Sequence, residues 1–137
     1  MVYVNNLFNW FTVTCGLLGG FLCQWLGGLD VILKALVALV ILDYITGVLK
    51  AIATKTLSSE VGFKGLVRKI VIFIVVATAV IIQSVVGDAI PLREITIIFF
   101  MCNEGISLLE NASEFIDIPP QLRDVLIQLQ DKENDKK

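Results

Sequence analysis

The sequence predicts an all-α integral membrane protein with three to four transmembrane helices, a short C-terminal amphipathic helix and a charged tail. The first observation is composition: 56% of the 137 residues are hydrophobic and 18% are charged, whereas soluble domains average roughly 45–50% and about 25%. The second is that the apolar residues form long uncharged runs, and the mean hydropathy is +0.83. The third is length, which allows a single domain. We therefore expect the apolar excess to face lipid.

Four stretches approach the roughly 17–25 apolar residues that cross about 30 Å of hydrocarbon. We predict spans at about 7–29, 31–53, 70–90 and 95–109, within one transmembrane domain covering residues 1–118. The first stretch carries no charge, and the second carries Lys34, Asp43 and Lys50. The fourth is short and holds Asn103 and Glu104. Whether three or all four cross is left open by the sequence.

Basic residues between the second and third spans predict the orientation. Against a single acid, Glu60, this loop carries Lys55, Lys64, Arg68 and Lys69. Because basic residues in short loops stay cytoplasmic, we expect the loop and the C-terminal tail to face the cytoplasm. The N-terminus is on the same side if all four stretches cross.

The first stretch contains a face of small residues that includes Gly16, Gly19, Gly20 and Gly27. Such a face lets helix backbones approach closely in lipid, where packing drives helix association. We interpret these glycines as candidates for a contact between subunits. Packing against another span of the same chain, or a merely flexible glycine-rich helix, are equally open alternatives.

Asp43 lies near the middle of the second span. An acid at that depth costs about 2.5–3.5 kcal/mol on insertion scales, so it should face a cavity or a partner. Gly47 and Lys50 follow at positions i+4 and i+7 and share its helix face. This face either lines water or a subunit contact, or Asp43 is neutralised locally by Lys50.

The fourth span repeats this polar pattern. Asn103, Ser107, Glu110 and Asn111 share one face, and Glu104 lies beside it. A milder stripe on the third span contains Gln83. The stripes predict hydrogen bonds between helices or a wet lumen. The candidate pore or polar-face residues are therefore Asp43, Gly47, Lys50, Gln83, Asn103, Glu104 and Ser107.

Several classes of function are not expected. The chain has no His, no G-x-S-x-G elbow and no phosphate loop, so we predict no catalytic residues and no enzyme. Its carboxylates lack metal-ligand spacing, so neither a metal nor another cofactor is expected. A net charge of −2 and a pI near 5.0 disfavour nucleic acid as a partner. Cys15, Cys23 and Cys102 lie in apolar stretches and are interpreted as small hydrophobic residues.

The character of the chain changes after Ile118. Pro119 and Pro120 end any helix that arrives from upstream, and Pro120 suits the first turn of a new one. Apolar residues then recur with helical period, which predicts an amphipathic cytoplasmic helix over residues 119–130 that docks on the membrane surface or on other subunits. The apolar-free segment 131–137 predicts a disordered charged tail.

Two blocks of the sequence resemble the toxin-secretion/phage-lysis holin family. The first block comprises Leu42-Asp43-Tyr44-Ile45-Thr46-Gly47, Lys50-Ala51, Leu57-Ser58-Ser59, Gly62, Gly65-Leu66 and Arg68-Lys69. The second comprises the run from Asn103 to Asn111 (NEGISLLEN), followed by Ile118-Pro119-Pro120 and Leu122. The resemblance covers roughly residues 36–129, and the order of the two blocks makes it fairly specific.

This resemblance implies a holin that forms homo-oligomers in the cytoplasmic membrane of a bacterial host and opens pores or lesions. An endolysin, or in some members a toxin, then escapes and the host lyses. Met1 and Met101 are the only methionines, so an inhibitory twin from a second ATG start near the N-terminus is not expected. Timing then depends on a separate antiholin or on concentration alone. An antiholin-like regulator of a partner holin, or a small ion channel or transporter, remain the alternatives.

Overall fold

A computed structural model describes the backbone of residues 2–134 and the side chains of residues 9–125, 127 and 128. Five α-helices follow one another in this described part, which contains no strand. They are α1 (Val2–Trp25), α2 (Val31–Ala53), α3 (Ser59–Val86), α4 (Leu92–Ala112) and α5 (Pro120–Asn134). The described part is thus all-α, as the sequence predicts.

The helix ends follow local sequence signals. Asp30 precedes α2 and accepts a hydrogen bond from the backbone N–H of Leu33 at 3.0 Å, and Ser58 does the same for Val61 ahead of α3 at 3.2 Å. Such caps satisfy backbone donors that a helix start leaves unpaired. Gly87 ends α3 with a φ of +93°, a conformation that favours glycine.

The third helix is longer than the predicted span at its N-terminal side. It begins at Ser59 rather than at about residue 70, because the Ser58 cap and Glu60 in the first turn favour a helix start there. The three basic residues assigned to the loop, Lys64, Arg68 and Lys69, therefore lie on α3. Its 28 residues extend about 42 Å, which exceeds the hydrocarbon thickness.

Three helices form the packed bundle. Their shared core is a cluster of buried apolar side chains from all three helices. It consists of Leu33, Leu36 and Val40 of α2, Ile72 and Val76 of α3, and Ile97 of α4. Helix α4 packs against both of its neighbours and most extensively against α2. The core is a single apolar layer shared by α2, α3 and α4.

Within the described residues, two helices, α2 and α3, are long and apolar enough to cross a membrane by length and composition. This is fewer than the three to four spans that the sequence predicts. Helix α4 is less apolar than α2 and α3 because it carries four charged residues, Arg93, Glu94, Glu104 and Glu110. The outer faces of α2 and α3 are apolar, and 57% of Ile74 is exposed. Soluble proteins rarely expose apolar patches of such extent, so these faces indicate a membrane protein.

In the described part, helix α1 has no extended packing against the other helices. Trp10 and Leu17 are more than 70% exposed, and a Cβ atom built on Gly16, Gly19 or Gly20 meets no atom within 4 Å. The alternative in which these glycines pack against another span of the same chain is therefore not what the described structure contains.

Helix α5 packs against α4 of its own chain. Arg123 donates to Glu110 at 2.8 Å, and Leu122 lines an apolar groove together with Leu39 of α2 and Leu109 of α4. The helix continues to Asn134, so residues 131–134 of the predicted disordered tail are helical, consistent with the helix propensity of Lys and Glu. Residues 135–137 lie outside the described part.

Candidate functional site

Three charged side chains from three helices meet inside the bundle. The ammonium group of Lys69 on α3 donates to Asp43 Oδ2 on α2 and to Glu104 Oε2 on α4. All three side chains are buried: Asp43 is 6% exposed, Lys69 is 8% exposed and Glu104 is 4% exposed. We call Asp43, Lys69 and Glu104 the buried ion cluster.

Each member of the buried ion cluster continues the apolar stripe of its helix. Leu36, Val40 and Asp43 follow at i, i+4 and i+7 on α2, and Ile97 precedes Glu104 by seven residues on α4. On α3, Lys69 shares its face with buried Ile72 and Val76. Helical spacing thus directs the three charges into the same interior that the apolar residues fill.

Asn111 completes the surroundings of Asp43. Its side-chain amide donates to Asp43 Oδ1 at 3.1 Å, so both carboxylate oxygens of Asp43 are hydrogen bonded. A Cβ atom on Gly47 would lie 3.4 Å from that amide nitrogen. Gly47 therefore leaves the space through which Asn111 of α4 reaches α2.

Tyr44 occupies a notch in α3 beside the buried ion cluster. A Cβ atom on Gly65 would lie 3.6 Å from the tyrosine ring, and one on Gly62 would lie 3.8 Å from its hydroxyl. Two glycines three residues apart thus give α3 a shallow surface against which the ring packs. This contact fixes α2 against α3 on the cytoplasmic side predicted above.

The charge balance makes the buried ion cluster energetically important. One ammonium group faces two carboxylates, and burial removes all three from water, where charged groups are strongly solvated. Their mutual attraction offsets this cost only while all partners are in place, and removal of one partner of a buried pair costs about 3–5 kcal/mol. The cluster therefore holds α2, α3 and α4 in one arrangement.

Two cavities flank the buried ion cluster. The larger, about 490 Å³, lies between α3 and α4 and is lined by Glu104, Asn103, Ser107, Arg68, Glu110 and neighbouring apolar residues. The smaller, about 210 Å³, lies beside Asp43, Lys69 and Asn111. Arg68 and Ser107 line both, so polar space reaches the cluster from two sides.

A second ionic group lies at the opposite end of the bundle. Arg93 at the start of α4 donates to both carboxylate oxygens of Asp30, at 2.7 and 3.1 Å, and to the carbonyls of Leu26 and Gly28 at 2.7 and 3.1 Å. The hydrogen bond from Arg93 holds the pKa of Asp30 below its ordinary value. Arg93 thereby clamps the α1–α2 connection to α4.

Gly27 belongs to this clamp rather than to the small-residue face of α1. It lies beyond Trp25, where α1 ends, and has a φ of +80°. A Cβ atom there would come within 2.5 Å of Arg93 Nε, so only glycine fits. The small-residue face within the helix therefore contains Gly16, Gly19 and Gly20.

The structure places the other predicted polar residues in different settings. Gln83 accepts from the backbone N–H of Arg93 at 2.9 Å and donates to Asp88 at 3.1 Å, so it lies at the Arg93 end. Asn103 and Ser107 line the larger cavity. Lys50 is not a partner of Asp43, whose side chain bonds Lys69 and Asn111 instead; the local pairing considered from sequence is wrong.

Sequence reasoning missed the structural role of Lys69, which it used only for orientation. The available signal was its spacing to Ile72 and Val76, which places it on the buried face of α3. Arg93 and Tyr44 were missed because their partners lie far away along the chain. Over the residues with described side chains, no group of three or more His, Cys, Asp or Glu is placed to hold a metal ion.

Comparison with known proteins gives a family. The bacteriophage holin family profile matches residues 20–131. A protein named as a probable holin of Bacillus phage phi105 is 36% identical over 77% of this chain and 78% of its own length. An uncharacterized protein of Clostridium perfringens is 37% identical over 85% of this chain and 89% of its own length. An uncharacterized 14.9 kDa protein in the nagH 3' region of the same species is 33% identical over 96% and 99% of the two chains. No solved structure matches.

Proposed function

We propose that this chain, which belongs to the bacteriophage holin family, accumulates in the cytoplasmic membrane of a bacterial host, oligomerises and opens lesions that release an endolysin. The main support for the proposal is the family match over residues 20–131. The similarity to the probable holin of Bacillus phage phi105 supports it further. The chain's geometry is compatible with this role, because apolar surface is abundant and the polar groups lie between helices.

The proposed topology has four crossings with both termini in the cytoplasm. Helices α2 and α3 have the composition of spans, and α1 and α4, with 24 and 21 residues, are about 36 and 31 Å long. The charges of α4 are tolerated because Arg93 and Glu104 are buried in ionic contacts rather than exposed to lipid. The basic start of α3 faces the cytoplasm.

The proposed assembly step uses α1. A Cβ atom on its exposed Gly16, Gly19 or Gly20 meets no described atom within 4 Å, so a helix of a second copy can approach closely there. The buried ion cluster meanwhile keeps each subunit closed. Above a critical density, separation of α2, α3 and α4 turns the polar face of Asp43, Lys69 and Glu104 toward water and forms the lesion.

Expression of the chain in bacteria, with and without a cytoplasmic endolysin that lacks a signal sequence, tests the proposal. We expect abrupt lysis with the endolysin, and loss of viability without lysis in its absence. Loss of membrane potential without endolysin escape would instead assign a small ion channel. Healthy cells in both cultures would assign an antiholin-like regulator, and delayed lysis on co-expression with another holin would then identify it.

A further inference from the structure

The cavity between α3 and α4 has a cation, Arg68, at its edge. Arg68 lines this cavity and the smaller one. Its charge attracts the Glu104 carboxylate at longer range, but throughout the described side chains no hydrogen bond or ion pair to its guanidinium is found. The two carboxylates of the larger cavity are already engaged, Glu104 by Lys69 and Glu110 by Arg123. The N–H groups of the Arg68 guanidinium are therefore the donors of this cavity that remain available to an anion.

The depth of Arg68 matches the phosphate level of a bilayer. Residues 70–86 of α3 carry no charge and extend about 26 Å, close to the thickness of the hydrocarbon. Arg68 lies directly before this stretch. An arginine at that boundary extends its guanidinium toward the headgroups while its stem remains on apolar surface.

The rest of the cavity suits the remainder of a phospholipid. Ser107 and Asn103 contribute a hydroxyl and an amide beside Arg68, and Val71, Phe100 and Ile106 contribute apolar wall. A volume of about 490 Å³ is within the range of about 300–1,000 Å³ typical of small-molecule sites. A cavity lined by both polar groups and apolar wall fits a headgroup phosphate with its glycerol and first methylenes.

From these observations we propose that the α3–α4 cavity binds the phosphodiester of an anionic phospholipid, with Arg68 as its main cationic contact and Ser107 as a hydrogen-bond donor. Basic pockets between transmembrane helices on the cytoplasmic side are a recurring form of headgroup recognition. Guanidinium favours phosphate because it offers several N–H donors in one plane. The bound lipid would then pack between α3 and α4, next to the buried ion cluster.

Lipid retention by the purified full-length chain tests this proposal. The chain is exchanged into detergent micelles doped with phosphatidylglycerol or phosphatidylcholine, and bound lipid is counted by native mass spectrometry. We expect preferential retention of phosphatidylglycerol, and about tenfold weaker retention by Arg68→Gln. Lys55→Gln removes the same charge from an exposed position outside the cavity and should retain lipid like the natural chain.

Further variants keep the test decisive. Arg68→Lys should retain part of the preference for phosphatidylglycerol. Ser107→Ala should weaken retention of this lipid about threefold. These two variants test the cavity even where Arg68→Gln does not fold. Equal retention of the two lipids, or equal losses in Arg68→Gln and Lys55→Gln, would overturn the proposal. Displacement of the lipid by millimolar inorganic phosphate would assign the cavity to a soluble anion instead.

Discussion

At the scale of single residues, the two sequence blocks that mark the family converge in space. Asp43 comes from the first block and Glu104 and Asn111 come from the second, and Lys69 ends the first. Their side chains form one hydrogen-bonded group in the interior. Residues more than 60 positions apart are therefore constrained together, which explains in physical terms why both blocks have polar residues within apolar helices.

Replacement of Lys69 by Met should strongly destabilise the bundle. It leaves Asp43 and Glu104 buried without a cation, which costs about 3–5 kcal/mol. Lys64→Met is the matched control, because Lys64 also lies on α3 and pairs with Glu60, yet both side chains are more than 70% exposed. That exposed pair should contribute less than about 1 kcal/mol. Equal losses of stability in the two variants, measured by denaturant unfolding in detergent, would contradict the role assigned to the cluster.

The Asp30–Arg93 pair predicts a pH dependence. The folded pKa of Asp30 lies below its ordinary value of 3.8 because Arg93 bonds its carboxylate. Its stabilisation is therefore fully present above pH 3.8 and is lost as the pH falls through the lower folded pKa. The unfolding midpoints of the natural chain and of Asp30→Asn should therefore converge once the pH is below the folded pKa of Asp30. A difference between them that persists unchanged from pH 7 to pH 2 would refute this assignment.

At the scale of helices, the described part divides into a packed bundle and an unpacked α1. Helices α2, α3 and α4 share their core and the buried ion cluster, whereas α1 is attached through the Arg93 clamp. Helix position and type follow from the sequence because apolar runs, caps and prolines are local signals. The start of α3 at Ser59 differs from the predicted span because hydropathy detects the membrane-embedded part, and the helix continues past it under the control of its cap.

Bulk on the small-residue face of α1 should impair assembly and leave the bundle intact. A Cβ atom on Gly16 or Gly20 meets no described atom within 4 Å, so we expect the combined variant Gly16→Leu and Gly20→Leu to leave unfolding of the bundle unchanged. Cross-linked oligomers in membranes should decrease severalfold, because the added side chains keep neighbouring helices apart.

Leu18→Phe provides the control for this variant. Leu18 is exposed on the opposite side of α1, so added volume there leaves the small-residue face open. We expect oligomers at the natural level. Persistence of oligomers in the double Leu variant would remove α1 from the assembly contact.

At the scale of the whole molecule, the charged side chains that are buried in the described part are held in ionic contacts, whereas many large apolar side chains are exposed. This arrangement is expected of a membrane protein. The sequence alone predicted Asp43, Gly47, Glu104 and the Asn111 face as unusual positions, since a charge or small residue within an apolar run is visible locally. It could not predict that Lys69 joins two of them, because pairing across 26 and 35 positions depends on how three helices pack. The Arg93 clamp and the Tyr44 notch depend on packing in the same way.

The onset of lysis tests the proposed role of the buried ion cluster in cells that contain a cytoplasmic endolysin and matched membrane amounts of the natural chain, Lys69→Met or Lys64→Met. The proposed mechanism predicts abrupt lysis after a delay for the natural chain and for Lys64→Met. It predicts an earlier onset for Lys69→Met, because the closed bundle has lost its central cation. An unchanged onset in Lys69→Met, or no lysis with the natural chain, would contradict it.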